Sequence, residues 1–182
     1  FLAGISVLLL GVLSMLCTKN HTKEMNKREG YVVVAVGWIV MTLSGTLPYL
    51  FTGAIPEFTN AVFETISGYT TTGSTILNDI ESLPKGILFW RSLTHWIGGM
   101  GIIVLAIAIL PLLGIGGMQL FAAEAPGPSA DKLHPRMTDT AKRLWLIYFG
   151  YTAAETLFLS LAGRYFFDAL NHSMSTLSTG GG

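Results

Sequence analysis

Long uncharged stretches separate short polar segments along most of this 182-residue chain. Residues 1–17 and 30–56 carry no charge, 86–114 contains one arginine and one histidine, and 144–162 contains one glutamate. A helix needs about 20 apolar residues to cross the hydrocarbon core of a bilayer, which is about 30 Å thick. The pattern therefore predicts four membrane-spanning helices. The first is barely long enough, and the second should end near Pro48 or a little beyond.

Two shorter half-apolar segments, 61–69 and 165–176, are predicted to be helices too short to span a bilayer. A small-residue loop follows each of them, at 70–75 and at 178–180. Lipid offers no hydrogen-bond partner to a non-helical backbone, so such a loop persists at membrane depth only where protein buries it or it lines an aqueous path. Its carbonyl groups can then replace the water around a cation. The sequence thus predicts an ion filter, with an ordinary Ser/Thr turn as the alternative.

This order of elements occurs once in full and once in part. The glycine of the first loop, Gly73, aligns with Gly180, although the two half-helices align best with an offset of one further residue. We therefore expect an all-α membrane protein built from parallel repeats of helix, re-entrant half-helix, filter loop and helix. The predicted segments are a preceding helix at 1–18, a cytoplasmic loop at 19–29, a first pore repeat at 30–114, a cytoplasmic connector at 115–143 and an incomplete second repeat at 144–182.

The basic residues predict the orientation of these segments. Eight of the eleven Lys and Arg residues lie in 19–29 and 115–143, which places both segments in the cytoplasm. One re-entrant loop and two spans return the chain to its starting side, so both loops should enter the membrane from the same face. The inverted repeats of many secondary transporters would have opposite orientations.

Composition excludes several classes of function. Charged residues make up 12% of the chain, against about 25% in soluble domains. The net charge is zero, which argues against nucleic-acid binding. The single cysteine, Cys17, is expected to be an apolar filler, and the four histidines lie far apart without cysteine partners. No arrangement of nucleophile, base and acid suggests an enzyme.

Three polar residues within the apolar segments have both a functional and a structural interpretation. Glu64 and His172 occupy matching places near the starts of the two half-helices. Each could tune the outer mouth of a pore, but helix-start charge and hydrogen bonding to the loop is the favoured interpretation. Glu155 lies in the middle of a predicted span, where a structural hydrogen bond is favoured over an ion site.

The third span contains a basic residue and several glycines. Arg91, which has tryptophans nearby, is expected to snorkel toward the membrane interface. Gly98, Gly99 and Gly101 are expected to permit close helix packing.

Several runs of residues resemble the TrkH-type subunit of bacterial Trk potassium uptake systems, and the resemblance covers essentially the whole chain from Lys19 onward. The most specific are the Gly-Gly-Met-Gly run within 96–104 and the Gly-Ile-Gly-Gly-Met-Gln run within 110–120. The other matching runs are 69–75, 124–128 and 140–145.

The resemblance implies four covalently linked, non-identical pore repeats around one pore, of which this chain would supply the first and most of the second. It also implies potassium as the transported ion, no organic cofactor, a multi-pass position in the cell inner membrane, a homodimer, and a cytoplasmic nucleotide-binding regulatory subunit similar to TrkA. The implied potassium ligands are the backbone carbonyls of Thr70, Thr71, Thr72, Gly73, Ser178, Thr179 and Gly180.

Two other hypotheses remain open at this point. A secondary transporter could hold a small solute at broken helices, and it would be expected to have inverted repeats. A purely structural membrane subunit would tolerate any change in the two loops. On the filter hypothesis, residues 1–182 alone should not conduct, because a dehydrated potassium ion needs a ring of carbonyls from four loops.

Overall fold

The computed structural model describes residues 27–113 and 133–181, and it shows helices and no strand in that part of the chain. The all-α prediction is confirmed. The helices, in chain order, are α1 (Lys27–Thr52), α2 (Phe58–Tyr69), α3 (Lys85–Leu113), α4 (Leu133–Leu161) and α5 (Phe166–Leu177). The predictions for 1–18, and most of those for 19–29 and 115–143, lie outside the described residues.

Helix α1 continues four residues past Pro48 and ends at Thr52. A proline inside a helix removes one backbone hydrogen bond but does not always end the helix. Here the Thr52 hydroxyl donates to the Pro48 carbonyl at 2.7 Å. Gly53 then adopts a positive φ of 69°, and its N–H donates to the Leu50 carbonyl, as is typical of a helix that ends in glycine.

Helix α4 begins at Leu133, whereas the sequence predicted a start at 144. The charges and the proline in this region suggested a linker. Pro135 is the third residue of the helix, where backbone N–H groups have no partner within the helix and proline is therefore tolerated. The end of the predicted cytoplasmic connector, 133–143, is thus helical.

The two half-helices have the same length and share one local hydrogen bond. Each residue of α5 lies 108 positions after its counterpart in α2, from Phe58 and Phe166 to Tyr69 and Leu177. Both helices contain a fully buried hydroxyl residue that donates to the carbonyl four residues earlier at 2.7 Å. These pairs are Thr65 with Ala61 and Ser173 with Ala169.

The same offset of 108 residues continues into the loops. Positive φ angles occur at Thr71 (55°) and Gly73 (75°) in the first loop, and at Thr179 (59°) and Gly181 (65°) in the second. The conformational counterpart of Gly73 is therefore Gly181, and the alignment with Gly180 was wrong. The run of three glycines at the end of the sequence offered no means of choosing among them.

One compact unit comprises the described residues from Lys27 to Ser67 together with Ser74–Trp90. Its core contains Tyr49 of α1, Ala61 of α2 and Ile87 of α3. The indole N–H of Trp90 donates to the Gly45 carbonyl at 3.0 Å, which joins the start of α3 to α1.

The second unit comprises Gly68–Gly73 and the described residues from Arg91 onward. Within this unit Trp96 joins α3 to α4: its indole N–H donates to the Thr152 hydroxyl at 2.9 Å, and its carbonyl accepts from the Tyr148 hydroxyl at 3.1 Å. Trp145 meets the same indole edge to face. The predicted ligand residues of both loops, 70–73 and 178–180, therefore belong to one unit.

Large apolar side chains are exposed along α1 and α4. By length and composition, Val34–Thr52 and Lys142–Leu161 could each cross a membrane. Large exposed apolar surfaces mark membrane or protein contacts, because water does not favour them. Examples are Val32, Ile39, Phe51, Leu146, Phe149, Phe158 and Leu161.

Candidate functional site

The two loops meet at Gly73 and Gly180. A Cβ on Gly73 would overlap the carbonyl oxygen of Gly180 and would lie 2.9 Å from its carbonyl carbon. Gly73 also has a positive φ of 75°, which residues with a Cβ rarely adopt. Glycine is thus required here for two independent reasons, and the backbones of the two loops touch.

The first loop begins with a tight turn at the end of α2. The Thr71 N–H donates to the Gly68 carbonyl at 3.0 Å. The Thr70 and Thr72 hydroxyls lie 2.8 Å apart, and both side chains are exposed. The short hydroxyl contact links residues on either side of Thr71 and restricts the loop.

The second loop closes on the last turn of α5. The Thr179 N–H donates to the Thr176 carbonyl at 2.9 Å, as Thr71 does to Gly68 in the first loop. The Ser175 carbonyl accepts from the Gly180 N–H at 3.0 Å and from the Ser178 hydroxyl at 2.9 Å. The Thr179 hydroxyl donates to the Ser178 carbonyl at 2.7 Å, so one predicted ligand carbonyl already has a protein partner.

Helix α3 packs directly against the end of α2 and against the second loop through adjacent glycines. A Cβ on Gly98 would overlap the Tyr69 carbonyl oxygen and lie 2.6 Å from its carbonyl carbon. A Cβ on Gly99 would lie 3.0 Å from the Ser178 Cβ and 2.9 Å from the Tyr148 hydroxyl. The prediction of close packing is confirmed for Gly98, which meets the last residue of α2, and for Gly99, which meets the second loop and α4.

A histidine on the same face of α3 was not predicted to have a role. His95 is 2% exposed, and its Nδ1 lies 3.0 Å from the Ser175 hydroxyl. It stands three and four residues before Gly98 and Gly99, so one helix face carries all three. That spacing was the available signal, but His95 was considered only as a metal ligand.

A family model for TrkH, described as a cation transport protein, matches residues 1–182. The chain belongs to the TrkH family. The Trk system potassium uptake protein TrkH of Escherichia coli strain K12 is 50% identical to it over 177 residues, and that of Halomonas elongata is 49% identical over 173. In both comparisons the match covers 94% of this chain and 36% of the relative.

A solved structure is also similar to this TrkH-family chain. The crystal structure of the potassium transporter TrkH from Vibrio parahaemolyticus matches with a TM-score of 0.75 and 40% sequence identity. The match covers 94% of this chain and 35% of that one. The chain thus spans about a third of the length of the relatives described here.

Glu64 of the TrkH-family chain is buried, and its carboxylate accepts hydrogen bonds from the last residue of the first loop and from the residue after it. Its two carboxylate oxygens each accept from the Thr75 hydroxyl at 3.0 Å, and one accepts from the Ile76 N–H at 3.2 Å. The interpretation of Glu64 as a hydrogen-bond partner of the loop is confirmed. Its counterpart in α5, His172, instead contacts Arg164, with 3.1 Å between the two side-chain nitrogens.

Replacing Glu64 with glutamine should destabilise the protein by about 1.5–3 kcal/mol, the usual range for hydrogen bonds to a charged group. The thermal unfolding of the full-length protein in detergent would measure this loss. Glu57→Gln is the matched control, because Glu57 is exposed and accepts from the Asn60 amide. Surface changes of this kind stay within about 0.5 kcal/mol. Equal stability of the two variants would contradict the anchoring role of Glu64.

Two other predictions about polar residues are not confirmed. Arg91 is 6% exposed, so the prediction that it snorkels outward is wrong. Glu155 is half-buried on α4, and within the described part of the chain its carboxylate has no hydrogen-bond partner. The predicted structural hydrogen bond of Glu155 is therefore not found among those residues.

Proposed function

We propose that this chain is part of a potassium uptake protein and that its two loops form two segments of one selectivity filter. The observation that carries the proposal is the contact of Gly73 with Gly180 within a single compact unit. Loops that only connected helices would not be expected to bring two glycine backbones into direct contact. The names of the relatives, which describe potassium uptake, support the choice of ion.

The backbone conformation of the loops suits carbonyl coordination. Thr71 and Gly73 have positive φ angles, and Thr72 between them does not. Thr179 and Gly181 likewise have positive φ angles, and Gly180 between them does not. Alternation of left- and right-handed residues places successive N–H groups on one side of the chain and turns the carbonyls to the other. We infer that carbonyls of 70–73 and 178–180 replace the water around potassium.

The two half-helices support a cation at this place electrostatically. Both α2 and α5 end directly at a loop. The C-terminal end of a helix carries a partial negative charge of about half an electron, from carbonyls without helical partners. Two such ends beside the loops favour a cation without the need for a carboxylate. The remaining carbonyls of the ring are proposed to come from further repeats of the full-length protein.

Flux measurements on the full-length protein in liposomes test the proposal. Rubidium and potassium should enter in preference to sodium, and changes in the two loops should alter that preference. Equal flux of potassium and sodium through the wild-type protein would overturn the assignment of a potassium filter.

The proposed setting is the cell inner membrane, which the chain crosses several times as part of a homodimer. Lys142 and Arg143 are exposed in the first half of α4, toward the end that is predicted to face the cytoplasm. We propose that a cytoplasmic nucleotide-binding subunit docks near these basic residues. The "Trk system" in the relatives' names is in keeping with a protein that works with other components.

Cysteine labelling tests the orientation. In a full-length protein with Cys17 replaced by serine, cysteines at Asn78 and Ser129 should react with an impermeant reagent from opposite sides, Asn78 from the periplasm. The reason is the excess of Lys and Arg in the predicted cytoplasmic segments. Reaction of both positions from one side would contradict parallel repeats and favour the broken-helix transporter.

A further inference from the structure

One buried imidazole, that of His95, lies against the second proposed filter segment and beside the last turn of α2. A Cβ on Gly180 would lie 2.6 Å from the Nδ1 atom of His95 and 2.9 Å from its Cγ atom, so the ring contacts the backbone of the second loop. The Cδ2 atom of the same ring would be 3.4 Å from a Cβ on Gly68, where α2 ends and the first loop begins. The ring therefore lies beside Gly180 in the second loop and beside Gly68 in the last turn of α2.

Ser175 connects this ring to the conformation of the second loop. Its hydroxyl shares a hydrogen bond of 3.0 Å with His95, and the hydroxyl is buried. Its carbonyl accepts the two bonds that fold the loop back, from the Gly180 N–H and the Ser178 hydroxyl. A displacement of Ser175 would therefore move Gly180, and with it the backbone that faces Gly73.

We propose that His95 is a positioning residue that determines ion specificity: through Ser175 and Gly180 it sets the distance between the two filter loops. The inference rests on the proposed function of those loops. His95 contacts no ion in this role; it acts through the backbone that does.

Both the shape and the hydrogen bond of the imidazole matter. A flat ring fits between two glycines because no Cβ projects from either of them. Protein interiors are closely packed, so a change of even one methylene group alters the packing. The bond to Ser175 fixes the rotation of that ring, because a buried polar group left unpaired is costly. A phenylalanine would keep the flat ring but would leave the Ser175 hydroxyl without this partner.

Selectivity measurements on the full-length protein test the role of the hydrogen bond. His95→Phe and Ser175→Ala should each lower the ratio of potassium to sodium flux by about three- to tenfold, as expected for the loss of one buried hydrogen bond. Ser173→Ala is the matched control, because Ser173 lies two residues earlier on α5 and is fully buried. Among the described residues its hydroxyl bonds to the Ala169 carbonyl of its own helix and to no other group. Its flux ratio should equal that of the wild type.

A double-mutant cycle separates positioning from a general loss of structure. The His95→Phe/Ser175→Ala protein should be no less selective than the worse single variant, since both changes remove the same bond. His95→Asn, whose amide can occupy the place of Nδ1, should recover part of the ratio. Additive losses in the double variant, or an equal loss in Ser173→Ala, would overturn the proposal.

The outcome for the filter itself is read from a different variant. If Gly73→Ser changes the flux ratio and neither His95→Phe nor Ser175→Ala does, the filter stands and the positioning role of His95 is wrong. If Gly73→Ser also leaves the ratio unchanged, the proposed filter is wrong and the inference about His95 is lost with it.

Discussion

Replacement of Gly73 with serine is expected to lower the preference for potassium over sodium by about tenfold or more. A residue with a Cβ pays about 1–2 kcal/mol in the left-handed conformation that Gly73 adopts. Each ~1.4 kcal/mol corresponds to a factor of ten in an equilibrium constant. The Cβ would also overlap the Gly180 carbonyl oxygen, and neither backbone can move away without changing the other loop.

The control for this variant separates backbone strain from the loop contact. Gly163 also has a positive φ, at 97°, but a Cβ there would meet nothing within 4 Å. Gly163→Ser should therefore reduce stability modestly and leave the flux ratio unchanged. Parallel measurements of potassium and sodium flux by the two full-length variants decide the matter. A Gly73→Ser protein as selective as Gly163→Ser would show that Gly73 is not part of the filter.

Gly98→Ala should cause the largest loss of stability among the single changes considered. The added methyl group would overlap the Tyr69 carbonyl oxygen and lie 2.8 Å from its Cα. These are backbone atoms, so no side chain can rotate out of the way. Overpacking costs about 1–3 kcal/mol where a core can adjust, and we expect about 3 kcal/mol or more here.

A second glycine in the same unit provides the comparison. Gly150 lies within α4, and a Cβ there would meet nothing within 4 Å. Alanine in a helix interior is favoured over glycine by about 0.5–1 kcal/mol, so Gly150→Ala should be slightly more stable than the wild type. Thermal unfolding of the two full-length variants in detergent would show the contrast. If both were equally stable, the close approach of α3 to Tyr69 would be refuted.

Hydrophobic patterning alone predicted the helices accurately where a polar boundary was sharp. The predicted third span, 86–114, corresponds closely to Lys85–Leu113, because charged or glycine-rich residues end the apolar run at both sides. The two half-helices were also predicted, to within a few residues. Patterning predicted the wrong start for α4, since charged residues with a proline in the first turn are compatible with a helix as well as a linker.

The sequence by itself indicated which loops to propose as filter segments. Two short helices, each followed by a loop rich in Thr, Ser and Gly, can be recognised from residue types. A non-helical backbone at membrane depth must be buried in protein or line an aqueous path, which makes such loops candidates for a pore lining. The runs of residues that resemble TrkH-type subunits added potassium as the expected ion. Glu64 could be assigned to the loop because a carboxylate on a half-helix has few other partners.

Only the tertiary structure decided how the loops are held. The counterpart of Gly73 became clear from φ angles, since three consecutive glycines are equivalent in sequence but not in conformation. The burial of Arg91 and the contact of His95 with Ser175 depend on which face of α3 meets another segment. These two residues are 80 positions apart, and helix periodicity orders side chains around one helix without specifying the partner across the interface.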